Sequence, residues 1–298
     1  MKWEGVLPAI TTPFREDLSL DLDFLKRHAR WLAESGCGGI VALGSLGEGA
    51  TLRQEEKLAV LAACREALPA DVPLAAGVAA LSTAEAVELA EAAEACGCAG
   101  LMVLPPYVYR GDARETLAHF EAVIRATGLS CMLYNNPIAY GTDVLPEQLH
   151  DLAARLPNLA AVKESSADVR RVTAIRSLLR DRLAISVGVD DLILEGVEAG
   201  AVGWVAGLVN ALPLESMRLF ELARAGRRDE ARRLYEWFLP LLRLDVMPKF
   251  VQLIKLVQAE VGQGSARVRP PRLELQGQER EDALRLIHQR LAQRPSLG

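Results

Sequence analysis

The feature that most constrains this chain is a rhythm of eight short apolar runs separated by longer amphipathic stretches. The runs are Val6–Ile10, Gly39–Leu43, Leu74–Val78, Gly100–Leu104, Ser130–Tyr134, Leu159–Lys163, Leu183–Val187 and Val202–Val205. They are too short and too continuous for half-exposed strands, which alternate apolar with polar residues. They read as strands buried on both faces, as a parallel sheet requires. Between them lie Asp21–Ser35, Arg53–Leu68, Thr83–Cys96, Ala113–Thr127, Pro146–Arg155, Asp168–Arg180, Asp190–Ala199 and Pro213–Ala225, each with helical spacing. Eight strand–helix units predict an α/β fold, a (β/α)8 TIM barrel. A doubly wound open sheet would give a similar alternation. However, no Gly-rich dinucleotide fingerprint follows the first run, and the count of eight favours closure. After Ala225 the pattern is helix only, over Arg228–Leu242, Met247–Val261 and Glu279–Ala292, with Arg267–Gln276 a proline-containing connection. The expected organisation is a barrel over 1–225 and a helical extension over 226–298 packed on it.

Composition narrows the function class. The chain has 298 residues, half of them hydrophobic, enough for one large core. A net charge of -5 argues against a nucleic-acid partner, which would call for a basic patch. No apolar run reaches the roughly 20 residues that span a membrane. The start MKWEGVLPAITTPF carries an acid at Glu4 and does not resemble a signal peptide. The five cysteines, Cys37, Cys64, Cys96, Cys98 and Cys131, sit among small or apolar residues and read as buried thiols. An odd count in an enzyme-sized chain fits a reducing cytoplasm. Cys96-Gly-Cys98 has no second ligand pair nearby, so no metal is expected there.

Barrels of this kind place their chemistry at the C-terminal ends of the strands. Run six ends in Lys163. The chain has six lysines and 28 arginines, and the other lysines lie at the terminus or on helical patterns. After Leu-Ala-Ala-Val an ammonium is poorly solvated, and desolvation favours the neutral amine, which attacks carbonyl or imine carbon. The bland alternative is a structural lysine paired with Glu164 or Glu48. Tyr134 ends the neighbouring run and could shuttle protons in the same space, or could be a core tyrosine with one hydroxyl partner. The turn Gly44-Ser45-Leu46-Gly47 leads into a helix, and its backbone amides could hold a carboxylate. Glu48 fits a structural role better than a chemical one. Asp190-Asp191 fits helix N-capping better than a metal pair. His28, His119, His150 and His288 fall on helical patterns and read as surface or packing residues.

At these residues the chain resembles the dihydrodipicolinate synthase / N-acetylneuraminate lyase superfamily. One motif is Gly39–Gly49 (GIVALGSLGEG) followed by Glu56, and the other is Tyr134-Asn-Asn-Pro137 with Ala161-Val-Lys163-Glu-Ser-Ser-Ala-Asp168 beyond it. Gly5–Phe14 is similar to the family's first strand, and the resemblance covers essentially the whole chain. It implies that Lys163 is the Schiff-base lysine and Tyr134 the proton-shuttling tyrosine. It also implies that Ser45 relays to that tyrosine and that the amides of Ser45 and Leu46 cradle the substrate carboxylate. Gly44, Tyr107, Asn136, Tyr140, Gly188 and Val205 complete the implied substrate-binding set. The covalent lysine imine is the electron sink, so no metal, flavin or pyridoxal phosphate is implied. Homotetramers, built as pairs of tight dimers, are the implied assembly.

Three departures bear on the substrate. Many members have a second hydroxyl residue where this chain has Leu46. Dihydrodipicolinate synthases have an arginine shortly after the Tyr-Asn-x-Pro motif that recruits the carboxyl group of aspartate semialdehyde. Here the stretch is Ile138-Ala139-Tyr140. They also contribute a tyrosine across the dimer interface, where this chain has Val108 within Tyr107-Val108-Tyr109. Losing a charged hydrogen bond costs on the order of 1.5–3 kcal/mol, which disfavours the lysine-pathway reaction unless another basic residue substitutes. The stretches Tyr134–Tyr140, Trp237–Leu242 and Arg269–Leu273 resemble the 1-pyrroline-4-hydroxy-2-carboxylate deaminases of hydroxyproline catabolism. That branch implies a small carboxylate-bearing cyclic imine converted to 2,5-dioxopentanoate plus ammonia, and it is the favoured expectation. The alternatives are 4-hydroxy-tetrahydrodipicolinate synthase or a pyruvate-dependent 2-oxo acid aldolase. Outside enzymes, the alternative is a 2-oxo acid-binding sensor barrel.

Overall fold

Each apolar run becomes a parallel strand because both of its faces find apolar cover. In the computed structural model, which describes residues 1–297, the strands are β1 Gly5–Pro8, β2 Ile40–Ala42, β3 Leu74–Val78, β4 Gly100–Val103, β5 Ser130–Asn135, β6 Leu159–Glu164, β7 Ala184–Val187 and β8 Gly203–Ala206. The last residue of the expected extension, Gly298, lies outside the described residues. Every strand pair is parallel, in the order β1-β8-β7-β6-β5-β4-β3-β2. A bridge between Ala9 and Val41 joins the two ends, with Ile10 N donating to Val41 O at 2.9 Å. The sheet is therefore a closed eight-stranded barrel, as expected from the count of runs. In register, Tyr134 pairs with Lys163 and Lys163 with Ser186. Register partners in parallel strands face the same side, so Tyr134 and Lys163 emerge together at one rim.

The helices are α1 Leu22–Glu34, α2 Gln54–Ala67, α3 Thr83–Ala95, α4 Ala113–Arg125, α5 Pro137–Tyr140, α6 Pro146–Arg155, α7 Arg170–Leu179, α8 Ile193–Glu198, α9 Pro213–Arg224, α10 Arg228–Leu242, α11 Phe250–Glu260 and α12 Gly277–Ala292. Local chemistry starts several of them. Asp112 accepts from Glu115 N at 2.9 Å, and the Glu115 side chain reaches back to Asp112 N, which closes a capping box on α4. Asp21 caps α1 and Ser82 caps α3. The one α-helix with no counterpart in the sequence pattern is α5, whose single turn is too short to show a helical period. No helix among the described residues is long and apolar enough to cross a membrane.

The C-terminal helices α10–α12 are tied to the barrel by buried polar contacts. Lys255 on α11 donates to Thr12 O at 2.8 Å, Arg267 O at 2.8 Å and Glu48 Oε1 at 2.5 Å. Both partners of the ion pair are buried, and Glu48 Oε2 also accepts from Arg269 N at 3.0 Å. This bears out the structural reading of Glu48. Arg269 makes a two-pronged bridge to Glu56 at 2.8 and 3.0 Å and donates to Leu18 O at 2.7 Å. A second network links His28, Asn210, Gln258 and Thr11, with Asn210 also donating to Ala9 O at 2.9 Å.

Two outcomes follow for stability. Glu48→Gln strands the Lys255 ammonium in the interior. It should cost about 3–5 kcal/mol, the range for breaking one side of a buried pair, read as a lower urea midpoint. Burial pushes the His28 imidazole down from 6.5 to about 4. The unfolded chain takes up this proton first, so the neutral ring's contribution is complete above pH 6.5. It falls by about 1.4 kcal/mol per pH unit as the pH drops towards 4. His28→Gln should flatten that part of the stability–pH curve.

Candidate active site

The rim of the barrel at the ends of β5 and β6 holds the two residues that the sequence singled out. Lys163 and Tyr134 are 6% and 5% exposed, and the Lys163 Nζ lies 4.3 Å from the centroid of the Tyr134 ring. A cation over an aromatic face is held electrostatically without a carboxylate partner. Neither Glu164 nor Glu48 pairs with Lys163, so the structural-lysine alternative loses its proposed partners. Glu164 instead accepts from Asn135 Nδ2 at 3.1 Å and from Ser166 N at 2.7 Å. Burial raises its carboxyl above the ordinary range. Asn135 in turn accepts from Val144 N at 2.9 Å and donates to Asp143, so the ends of β5 and β6 are braced together behind the lysine.

Gly188, just beyond β7, makes room for that lysine. A Cβ there would stand 2.5 Å from Lys163 Cε, 2.7 Å from Lys163 Cγ and 2.0 Å from Ser165 Oγ. In this structure Gly188 is therefore the floor under the lysine.

The hydroxyl network differs from the expected one. Ser45 was expected to relay to Tyr134. Its Oγ instead shares a short hydrogen bond with the hydroxyl of Tyr140, while the Tyr134 hydroxyl accepts from Asn136 Nδ2 at 3.0 Å. The cause is α5. Asn136 caps it by accepting from Ala139 N at 3.0 Å, and Pro137 starts it. That single turn brings Tyr140 back over the mouth, between Tyr134 and Tyr107, with edge-on ring contacts at 5.8 and 5.6 Å. Burial, followed by the neighbouring Tyr134 and Tyr107, pushes the Tyr140 phenol upward. Burial likewise raises Tyr107. These phenols keep their protons at neutral pH and form a chain of hydroxyls leading from the mouth.

The remaining expected residues take several positions. Gly44 and Leu46 lie buried in the turn after β2, and among the described residues the amides of Ser45 and Leu46 donate to no backbone carbonyl. Val205 is buried on β8. Val108 is 88% exposed at the tip of its loop with a φ of 70°, a conformation that a β-branched residue rarely adopts. Asp190 does not cap a helix. It is fully buried and accepts from Trp204 Nε1 at 2.8 Å, Leu208 N at 2.8 Å and Gly207 N at 3.1 Å, which pins the end of β8. Burial raises its carboxyl to about 6. Of the histidines, His28 and His119 are buried and His150 and His288 are on the surface. Two charged residues near the mouth carry no strand-end or motif signal: Arg110, whose guanidinium lies beside Gly141 at the end of α5, and Asp245.

A closed parallel barrel with a lysine and a tyrosine at adjacent strand ends and an amide-lined turn beside them defines a class of imine-forming lyases. Residues 2–290 match the model of the dihydrodipicolinate synthetase family, and the chain belongs to that family. The 4-hydroxy-tetrahydrodipicolinate synthase of Methanothrix thermoacetophila is 32% identical over 270 residues, 90% of each chain. The structure of the enzyme of that name from Methylacidiphilum fumariolicum SolV superposes with a TM-score of 0.91 at 30% identity, covering 98% of both chains. The dihydrodipicolinate synthase of Acinetobacter baumannii, solved in complex with pyruvate, superposes with a TM-score of 0.92 at 28% identity, covering 97% of this chain and 99% of that one. The protein is an enzyme of this lyase family.

Gly188→Ala tests the geometry of the floor. Its added methyl group meets side-chain atoms, which can move, so the barrel should still fold while Lys163 is pushed off the Tyr134 ring. The fraction of chain reduced by borohydride onto pyruvate should fall at least about tenfold, with an unchanged circular dichroism spectrum.

Proposed function

We propose that Lys163 forms an imine with pyruvate or a close 2-oxo acid, and that the enamine derived from it adds to an aldehyde, as in 4-hydroxy-tetrahydrodipicolinate synthesis. The observation that carries the reading is the Lys163 amine, without a carboxylate partner, over the Tyr134 ring at the barrel mouth. The names of the relatives support the synthase reaction over the deaminase favoured by the sequence. So does Arg110. A Cβ at Gly141 would stand 2.6 Å from its Cζ, so a guanidinium lies at the end of the same one-turn helix that lacks the expected arginine. Arg110 is the substitute cation for the carboxyl group of the incoming aldehyde. The stretches that suggested the deaminase branch have other work. Arg269 anchors the C-terminal segment to Glu56, and Trp237 donates to Arg290 O at 2.9 Å.

The mechanism uses the residues at the rim. The turn amides of Ser45 and Leu46 hold the carboxylate of the 2-oxo acid. The Lys163 amine attacks the carbonyl carbon, and loss of water gives the imine. Tyr134 moves protons to and from the reacting atoms, with its hydroxyl oriented by Asn136. Tyr140, hydrogen-bonded to Ser45, sets a second hydroxyl at the mouth beside the Tyr134 ring. Exposed Leu81, Val108, Tyr109 and Ile138 fit burial between subunits, as in the homotetramer implied by the family resemblance. The five free thiols fit a reducing cytoplasm.

A second reading keeps one supporting observation. Leu46 is buried at the carboxylate turn, and an apolar side chain there suits a compact ring. On that reading Lys163 attacks the C=N carbon of 1-pyrroline-4-hydroxy-2-carboxylate. The ring opens, the hydroxyl leaves as water, and hydrolysis releases 2,5-dioxopentanoate and ammonia.

Borohydride reduction followed by peptide mass mapping separates the readings. Pyruvate should leave an adduct on Lys163, and pyruvate with aspartate semialdehyde should turn over. Turnover of the cyclic imine with ammonia release, and none of the aldehyde, would install the deaminase instead. No adduct with either substrate sinks the imine mechanism.

A further inference from the structure

The C-terminal extension brings one more chemical group to the barrel mouth. Between α10 and α11 the chain makes a short 3-10 turn, Arg243–Val246, packed on the turn Asp190–Leu192 that follows β7. Asp245 on this turn rests on Gly207, just beyond β8. A Cβ at Gly207 would stand 1.9 Å from Asp245 Oδ1 and 2.6 Å from its Cγ. Lys163 rests in the same way on Gly188, just beyond β7. β7 and β8 are paired neighbours, and adjacent strands lie about 4.8 Å apart. Two glycines on successive strand ends therefore set the lysine and the carboxyl group over one floor. The order β5-β6-β7-β8 places Tyr134 on one side of Lys163 and Asp245 on the other.

The neighbours leave Asp245 free for chemistry. Asp190 is already held by three N–H donors, and Asp191 lies 3.8 Å from Arg243 Nε. Asp245 has no hydrogen-bond or ion-pair partner among the described residues. Burial, then the Asp190 charge, pushes its carboxyl well above the usual range, with Lys163 pulling the other way. It can thus hold a proton under conditions where an ordinary aspartate would be ionised. A second group points to a ligand at this floor. The Ser165 hydroxyl is 1% exposed, has no partner, and lies against Gly188 beside the Lys163 side chain.

A planar imine presents two faces, and Tyr134 attends one. We propose that Asp245 is the acid–base group of the other face, donated by the C-terminal extension. Its neutral acid gives a proton to the carbinolamine hydroxyl. The C–O bond breaks, water leaves, and the Lys163 nitrogen lone pair forms the iminium double bond. The resulting carboxylate then takes a proton from the carbon beside the iminium. The C–H electron pair becomes the enamine double bond, the iminium electrons return to nitrogen, and the neutral acid is restored.

This inference rests on the imine-forming reading, and the experiment separates the two. Wild type and Asp245→Asn are incubated with pyruvate in deuterium oxide. Methyl exchange is followed by proton NMR, and the final fraction trapped by borohydride is measured. Asparagine keeps the shape and cannot exchange the proton. The variant should exchange at least about a hundredfold more slowly, the lower end of the usual range for a lost acid–base group, while reaching the wild-type trapped fraction. A smaller slowing, or a slowing matched by an equal loss of the trapped fraction, overturns the role of Asp245 and leaves the imine reading standing. Absence of both exchange and trapping in the wild type overturns the imine reading and this inference with it.

Discussion

The buried ion pair between Glu48 and Lys255 is the contact on which the working arrangement depends. Glu48 ends the turn that carries Ser45 and Leu46, and Lys255 lies on α11 of the C-terminal extension. Two charges taken out of water are tolerated only when every remaining donor and acceptor is satisfied. Here Thr12 O and Arg267 O take the other lysine protons, and Arg269 N occupies the second carboxylate oxygen. The pair therefore fixes the turn carrying Ser45 and Leu46, the first strand's outgoing loop and the C-terminal segment relative to one another. The same docking leads α11 out of the turn that holds Asp245 over the mouth.

The site itself is built by register and by missing side chains. Parallel pairing sets Tyr134 opposite Lys163, so two residues 29 positions apart share one space. Gly188 and Gly207 then clear the floor on the next two strands. Both are needed because the atoms above them are closer than any Cβ allows. The polar groups behind the lysine, Glu164 and Asn135, satisfy each other and leave Lys163 with an aromatic face as its nearest partner.

Much of this was legible in the chain. The strands fall within a residue or two of the apolar runs, because a strand buried on both faces leaves a continuous apolar signature. The rule that barrel chemistry sits at strand ends picked out Lys163 and Tyr134. The partner of Ser45 was not legible. Its bond to Tyr140 depends on α5, a single turn set by the Asn136 cap and Pro137, below the length at which periodicity shows. Asp190 looked like a cap because it precedes a helix. It serves instead as an acceptor for the Trp204 indole on β8 and for the amides of Gly207 and Leu208 just beyond it, contacts that spacing does not encode.

The sequence by itself determined the barrel, its closure at eight strands and the placing of one poorly solvated lysine at a strand end, because these follow from local hydrophobic pattern and from one solvation argument. Only the tertiary structure decided what surrounds that lysine. Arg110 reaches the mouth from the loop after β4, and Asp245 from beyond α10, each carried there by packing between distant segments. Charges on connecting turns have no period and no fixed partner in the chain. Their positions are set by how the pieces dock.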